Sequence, residues 1–194
     1  MSTRDLVLAA LFAAIIVALG LLPPISLGFI PVPITAQSLG VMMAGVVLGA
    51  RRGAIAVLIV LVLVAIGLPV LSGGRGGLAA FAGPTAGFLV GWVFAAFATG
   101  YLSERLVNSQ QSGLVQTVSF FLAAMIGGIV VLYAFGIAYL AIAAKIGLTQ
   151  AFVGSMAFIP GDVIKAFVAA LVGRAVMAGY PLLPVRLERD PRFM

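Results

Sequence analysis

Apolar residues run through this chain in long unbroken stretches, without the alternation expected of half-buried strands. Short clusters of proline, glycine and charged residues separate the stretches, each of which reaches roughly the 20 residues needed to cross a bilayer. The pattern predicts six helical spans. The first runs from about Leu6 to Leu22 and is stopped by Pro23 and Pro24. A short loop holding Ser26, Gly28, Pro31 and Pro33 follows, and the second span covers about Ile34 to Gly49, stopping at Arg51 and Arg52. The third covers about Ala54 to Leu71 and leaves through Ser72-Gly73-Gly74-Arg75-Gly76-Gly77. The fourth, about Pro84 to Leu102, closes at Glu104 and Arg105, and the polar stretch from Asn108 to Gly113 is a linker. The fifth lies between about Leu114 and Ala144, long enough to tilt or to project beyond the bilayer. The sixth covers about Gly161 to Met177, ahead of a basic tail.

Lipid offers the backbone no hydrogen-bond partners, so only helices and closed barrels span it. Continuous apolar runs select helices, and the fold class expected is all-α: a polytopic membrane protein forming one domain over residues 1–194. Composition agrees. Hydrophobic residues make up 63% of the chain and charged residues 8%, against about 25% charged in an ordinary soluble domain. The 24 glycines suit close helix packing in a membrane. The first apolar run has the position of a signal peptide but no convincing A-x-A cleavage site, so it reads as a retained helix.

Charge then orients the spans. The net charge is +6, yet the basic residues are scattered between apolar runs and form no patch suited to nucleic acid. Arg4, Arg51, Arg52, Arg105, Arg174, Arg186, Arg189 and Arg192 all fall on one side. By the positive-inside rule that side is cytoplasmic, with both termini there and the glycine-rich loop outside. The location expected is the cytoplasmic membrane.

Candidate chemistry is sparse. With no cysteine and no histidine, disulfides, thiol nucleophiles and imidazole or thiolate metal sites are excluded, and no metal or catalytic residue is assigned. No Gly-Lys-Ser/Thr follows the glycine-rich loop, so it is not an ATP-binding loop. Away from the cytoplasmic flanks the ionisable residues are Arg75, Lys145, Asp162 and Lys165, all at the outer end. Asp162 and Lys165 stand three apart on one helical face. They form either a salt bridge locking the sixth span or a ligand site, in which Asp162 accepts from N–H donors and Lys165 meets an anion or orients the carboxylate. Glycines around Arg75, Gly74 among them, let backbone N–H groups approach a ligand closely. Lys145 reads as an interfacial snorkelling residue.

Thr35 and Gln37 open the second span at the same level, and a membrane-buried glutamine amide requires a ligand or a neighbouring helix as partner. Tyr133 and Tyr139 lie in the outer half of the fifth span, with Tyr139 the stronger candidate for a pocket wall. Trp92, in the middle of the fourth span, reads as packing. Ala9-x-x-x-Ala13 and Ala10-x-x-x-Ala14 in the first span let another helix approach, whether within the fold or from a partner.

Four segments together resemble the BioY family, the biotin-binding S-components of energy-coupling factor transporters. They are Pro33-Ile34-Thr35-Ala36-Gln37; Gly67-Leu68-Pro69-Val70 with Gly73-Gly74-Arg75-Gly76-Gly77; Gly83-Pro84-Thr85-Ala86-Gly87; and Phe158-Ile159-Pro160-Gly161-Asp162-x-x-Lys165. The resemblance covers essentially the whole chain, with one departure at Leu71-Ser72, where the family often has an aromatic and a small or amide residue. It implies a six-helix S-component fold with biotin near the outer face, under the loops joining spans one to two and three to four. It also implies that the alanine face of span one, through Ala9, Ala10, Ala13 and Ala14, docks on a transmembrane coupling protein bound to cytoplasmic ATPases, which consume the ATP. The site expected is Asp162, Lys165, Arg75, Gln37, Tyr139, Gly74, Thr35, Ser72 and Tyr133, with biotin as transported ligand and no cofactor. Which cation takes the biotin carboxylate is left open by the sequence. Alternatives are an S-component for another vitamin, of thiamine or riboflavin type, and a small integral-membrane enzyme using Asp162 and Lys165 as an acid/base pair.

Overall fold

The computed structural model describes residues 2–180 and 182–183. Arg186, Arg189 and Arg192, counted above among the cytoplasmic basic residues, lie outside the described residues.

Helix α1 spans Thr3–Gly20. Ser2 Oγ accepts from the Asp5 amide at 3.2 Å, and an Asp5 carboxylate oxygen accepts from the Ser2 amide at 2.9 Å. This reciprocal cap satisfies two of the amides that a helix start leaves unpaired. Helices α2 (Gln37–Leu48) and α3 (Ala50–Ala65) are separated by Gly49 alone. Its φ of +83° is open to glycine, and the Glu104 carboxylate occupies the place of a Cβ. The break therefore precedes Arg51 and Arg52, which lie in the first turn of α3 and do not terminate α2. Helix α4 covers Ala86–Leu106, and α5 (Gly113–Met125) continues through a π-helical stretch, Ile126–Val131, into α6 (Leu132–Ala143). Helix α7 (Leu148–Met156) precedes α8 (Ile159–Gly179) at a 55° bend, with Pro160 in the first turn of α8.

Length separates these elements. Helix α1, helix α4 and the rod from Gly113 to Ala143 are each long and apolar enough to cross a membrane, and the bent pair α7–α8 makes a fourth. At 1.5 Å per residue the rod is ~46 Å long, beyond a hydrocarbon core of ~30 Å. Helix α2 is only ~18 Å by the same rise. It is buried over almost its whole surface, packed against α1, α3, α4 and α8.

The interior is made of small residues and the outside of large ones. Gly45, Ala95, Ala96, Gly100, Ala166 and Ala170 are buried where helices meet, while Phe94, Phe97, Val130, Ile142, Ile164 and Phe167 point outward. This is the distribution of helices that approach closely inside lipid. Gly45 shows the tolerance: a Cβ there would stand 2.8 Å from the Ala96 carbonyl oxygen.

Polar contacts gather the charged helix ends at one pole. Arg52 Nε stands 2.9 Å from an Asp5 carboxylate oxygen, Arg4 donates to the Tyr180 hydroxyl at 3.1 Å, and Glu104 accepts from the Ala50 amide at 2.8 Å. The Arg174 guanidinium lies against Gly113. At the opposite pole the 21–36 loop folds back on itself through paired Ile25 and Ile34 amides and carbonyls, both at 2.9 Å, and sinks Ile30 and Val32 into the core. Lys145 occupies the turn between α6 and α7, exposed and at a φ of +52°.

Candidate functional site

The 21–36 loop, the 68–77 loop and the ends of α2, α4, α6 and α8 surround one pocket, with about 600 Å³ of empty space including its mouth. Its polar end is built on α8. Asp162 is in the first turn, 5% exposed, where the helix dipole favours a carboxylate. One carboxylate oxygen accepts from Lys165 Nζ at 2.8 Å and the other from the Tyr133 hydroxyl at 2.7 Å. Lys165 also donates to Ser38 Oγ at 3.0 Å. These four residues join α2, α6 and α8 across the pocket.

The walls are aromatic and aliphatic. Phe88, Tyr133 and Phe158 meet edge to face, with ring centroids 6.3 to 6.5 Å apart. Trp92, Leu89 and Leu132 extend this surface. At the mouth stands Arg75, exposed, donating from Nε to the Ser72 carbonyl at 3.3 Å and from Nη1 to Thr85 Oγ1 at 3.4 Å. Thr35 completes the rim from the 21–36 loop.

Of the residues singled out in the sequence, Asp162, Lys165, Tyr133, Arg75, Thr35 and Gln37 all line this pocket. Gln37 has its amide fully engaged. Its nitrogen donates to the carbonyls of Ile16 (3.2 Å) and Val70 (3.1 Å), and its oxygen accepts from the Ser72 amide at 2.8 Å. The partner of this buried amide is the protein itself: Gln37 ties the 68–77 loop to α1 and α2. Ser72 is 1% exposed and lies behind the lining, its hydroxyl donating to the Leu22 carbonyl at 2.9 Å. Gly74 is in the loop crest at a φ of +69°, and Tyr139 packs over Gly87 of α4; neither lines the pocket.

The alanine patterns of α1 split. Ala9 and Ala13 are 0% and 2% exposed and pack inside the fold, which leaves no free face there for a partner. Ala10 and Ala14 face outward, in line with Ala18. Trp92, read from the sequence as packing, is a wall of the pocket, and Ser38, Thr85, Phe88 and Phe158 were not singled out as site residues. Thr85 and Phe158 fall inside segments that carry the family resemblance, which was a usable signal. For Ser38 the only signal was its place beside Gln37.

Asp162 retains lone pairs able to accept N–H donors, and Lys165 has one of its three donors uncommitted. Among the described residues no three of His, Cys, Asp and Glu gather into a metal site. The arrangement is that of a binding site: a buried acceptor and cation at one end, an apolar slot, and a cation at the mouth.

The family model described as the BioY family matches residues 1–182. A protein of Rhizobium etli named biotin transporter BioY is 89% identical over 186 residues, spanning 96% of this chain and 100% of that protein. One of the same name from Rhodobacter capsulatus is 52% identical, over 89% of this chain and 93% of its own. The crystal structure of the S-component for biotin from an ECF-type ABC transporter is similar with a TM-score of 0.85 at 35% identity, covering 92% of this chain and 95% of that one.

Proposed function

This chain belongs to the BioY family, and from that premise we infer that it is the membrane subunit that binds biotin and mediates its uptake. The observation that carries this reading to the residues is the pairing of Asp162 with Lys165 and Tyr133 at one end of a pocket with aromatic and aliphatic walls. Biotin carries a ureido group with two N–H donors and one acceptor, a fused apolar ring and a carboxylate tail. Asp162 accepts from one ureido N–H group, and the free donor of Lys165 meets the ureido oxygen beside it. The ring lies between Phe88, Trp92 and Phe158. Arg75 takes the carboxylate: it is exposed at the mouth with guanidinium donors to spare, whereas Lys165 is 15% exposed and twice bonded. Thr35 forms part of the rim, Gly74 shapes the crest of the loop that carries Arg75, Gln37 and Ser72 hold the rim loops from beneath, and Tyr139 sets the spacing of α6 against α4.

Helices α2 and α3 complete a six-span, single-domain fold, the pole bearing Arg4, Arg52 and Arg174 faces the cytoplasm with both termini, and the pocket opens outward. The outward alanine stripe of α1, Ala10 and Ala14, docks on the transmembrane coupling protein, whose ATPases supply the energy that this chain has no phosphate-binding loop to extract. A biotin titration of the purified wild-type protein in detergent tests the assignment, with one biotin bound per chain expected. Well-folded protein that ignores biotin but is stabilised by thiamine or riboflavin in a thermal-shift panel would overturn it.

A further inference from the structure

We propose that two hydroxyls, Ser38 and Thr85, are positioning residues that hold the two cations of the pocket in place, Ser38 acting on Lys165 and Thr85 on Arg75. The proposal rests on the biotin-binding reading and assigns each hydroxyl to a different end of the ligand.

Ser38 lies in the first turn of α2 and is 8% exposed. Its hydroxyl proton is committed to the Thr35 carbonyl oxygen at 3.4 Å. The oxygen lone pairs are thereby turned to Lys165 Nζ, 3.0 Å away on α8. The direction of both bonds is fixed, because an ammonium has donors only. Lys165 is held between a charged acceptor on its own helix and a neutral one across the pocket, which directs its remaining N–H. A charged group at this depth is expensive to leave short of partners. Alanine at position 38 frees the ammonium to fold over Asp162 and occupy the lone pairs that a ligand N–H needs.

Thr85 precedes α4 and is 8% exposed, and its hydroxyl caps no amide of that helix. Its oxygen instead accepts from Arg75 Nη1 at 3.4 Å, while Arg75 Nε reaches the Ser72 carbonyl. An exposed arginine has many rotamers to lose on binding an anion. These two anchors hold Nε and Nη1, while Nη2 has no hydrogen-bond partner among the described residues and keeps both of its donors for an anion at the mouth. The backbone of Arg75 is paired with Leu71 across Gly73 and Gly74, at 3.0 and 3.2 Å, so the turn fixes where the side chain starts and the two anchors fix where its guanidinium ends.

The two roles separate by ligand. Titrate wild type, Ser38→Ala, Ser38→Thr, Thr85→Val and Thr85→Ser with biotin and with biotinol, in which a hydroxymethyl group replaces the carboxylate, and record thermal unfolding of each ligand-free protein. Ser38→Ala is expected to weaken biotin and biotinol by a common factor of about tenfold, and Ser38→Thr to recover most of it. Thr85→Val is expected to weaken biotin about fivefold more than biotinol, and Thr85→Ser to restore the difference. Wild type that does not bind biotin defeats the function reading itself. Wild type that binds, with Ser38→Ala within twofold of it or with Thr85→Val weakening both ligands alike, defeats the proposal and leaves only structural roles for these hydroxyls.

Discussion

Tyr133 donates its phenolic proton to an Asp162 carboxylate oxygen at 2.7 Å, and this bond ties α6 to α8 at one end of the pocket. The other carboxylate oxygen belongs to Lys165. Asp162 thus keeps a fixed orientation before any ligand arrives, so binding does not have to order it. Tyr133→Phe removes the donor and keeps the ring against Phe88 and Phe158. Biotin affinity should fall about tenfold, the usual scale for a hydrogen bond to a charged group, with thermal stability lowered as well. Isothermal titration calorimetry with a parallel melting curve decides this; unchanged affinity would show that Asp162 is held by Lys165 alone.

The Asp162–Lys165 pair is largely withdrawn from solvent, with side chains 6% and 15% exposed. Removing one partner of such a pair strands a charge, which costs about 3–5 kcal/mol, while removing both often costs much less. Lys165→Met should therefore destabilise the protein more than the double variant Asp162→Asn/Lys165→Met, although neither retains strong biotin binding. Unfolding in a denaturing detergent series measures the ordering, and additive losses would refute a buried pair.

Gln37 provides three hydrogen bonds from one buried amide, to Ile16, Val70 and Ser72. Gln37→Ala leaves two carbonyls and an amide without that partner, at about 1–3 kcal/mol for each that water does not reach. Gln37→Glu is the sharper variant, since a carboxylate would face the Ile16 and Val70 carbonyls in place of an N–H donor. Both should lower the melting temperature, with Gln37→Glu the lower. A melting temperature for Gln37→Glu equal to wild type would mean that the amide is not held as described.

Part of this organisation was legible in the sequence. The i,i+3 spacing of Asp162 and Lys165 put them on one face because helical periodicity alone requires it. Tyr133 and Tyr139 are six residues apart, a separation that turns them to different sides of one helix. Only one therefore faces the pocket, and periodicity does not say which; packing of Gly87 under Tyr139 decides it. The two alanine stripes of α1 pose the same question, because neighbouring residues are 100° apart and small residues suit either an inner or an outer face. The π-helical stretch was not legible, since Gly127-Gly128 inside an apolar run suits close helix packing as readily as a local break, and no proline or charge stands beside it. Helix α7 was missed for a related reason: nothing in its composition marks the 55° bend before Pro160. Ser38 and Thr85 carry no charge and no distinctive spacing, and only the fold brings their hydroxyls, neither of which caps its helix, against Lys165 and Arg75.

The split of the α1 stripes makes a prediction about partners. Ala14→Leu adds bulk on the outward face and should leave biotin binding by the isolated protein intact while weakening its co-purification with a coupling protein. Ala13→Leu puts the same bulk into a site 2% exposed and should instead reduce folded yield by overpacking. If the two variants behave alike in both assays, the outward stripe is not the docking face.

Thr99 of α4 is 0% exposed, and its hydroxyl oxygen has no hydrogen-bond partner among the described residues. The oxygen faces Gly127 at the start of the π-helical stretch, where even a Cβ would not fit, and the threonine methyl packs on Gly45 of α2. Three segments therefore meet on this side chain, and its shape is required while its polarity is unused. Burying an unpartnered hydroxyl costs about 1–3 kcal/mol by protein mutational data. Thr99→Val keeps the branched shape and removes the hydroxyl, so it should raise the melting temperature by a few degrees, in line with about 1 kcal/mol in a domain of this size. Thr99→Ala, which removes the hydroxyl and also opens a void between α2, α4 and the π-helical stretch, should lower it. The opposite signs of these two variants separate the polarity of the position from its volume. A melting temperature for Thr99→Val below wild type would show that the hydroxyl does find a partner, the backbone of the π-helical stretch being the group within reach.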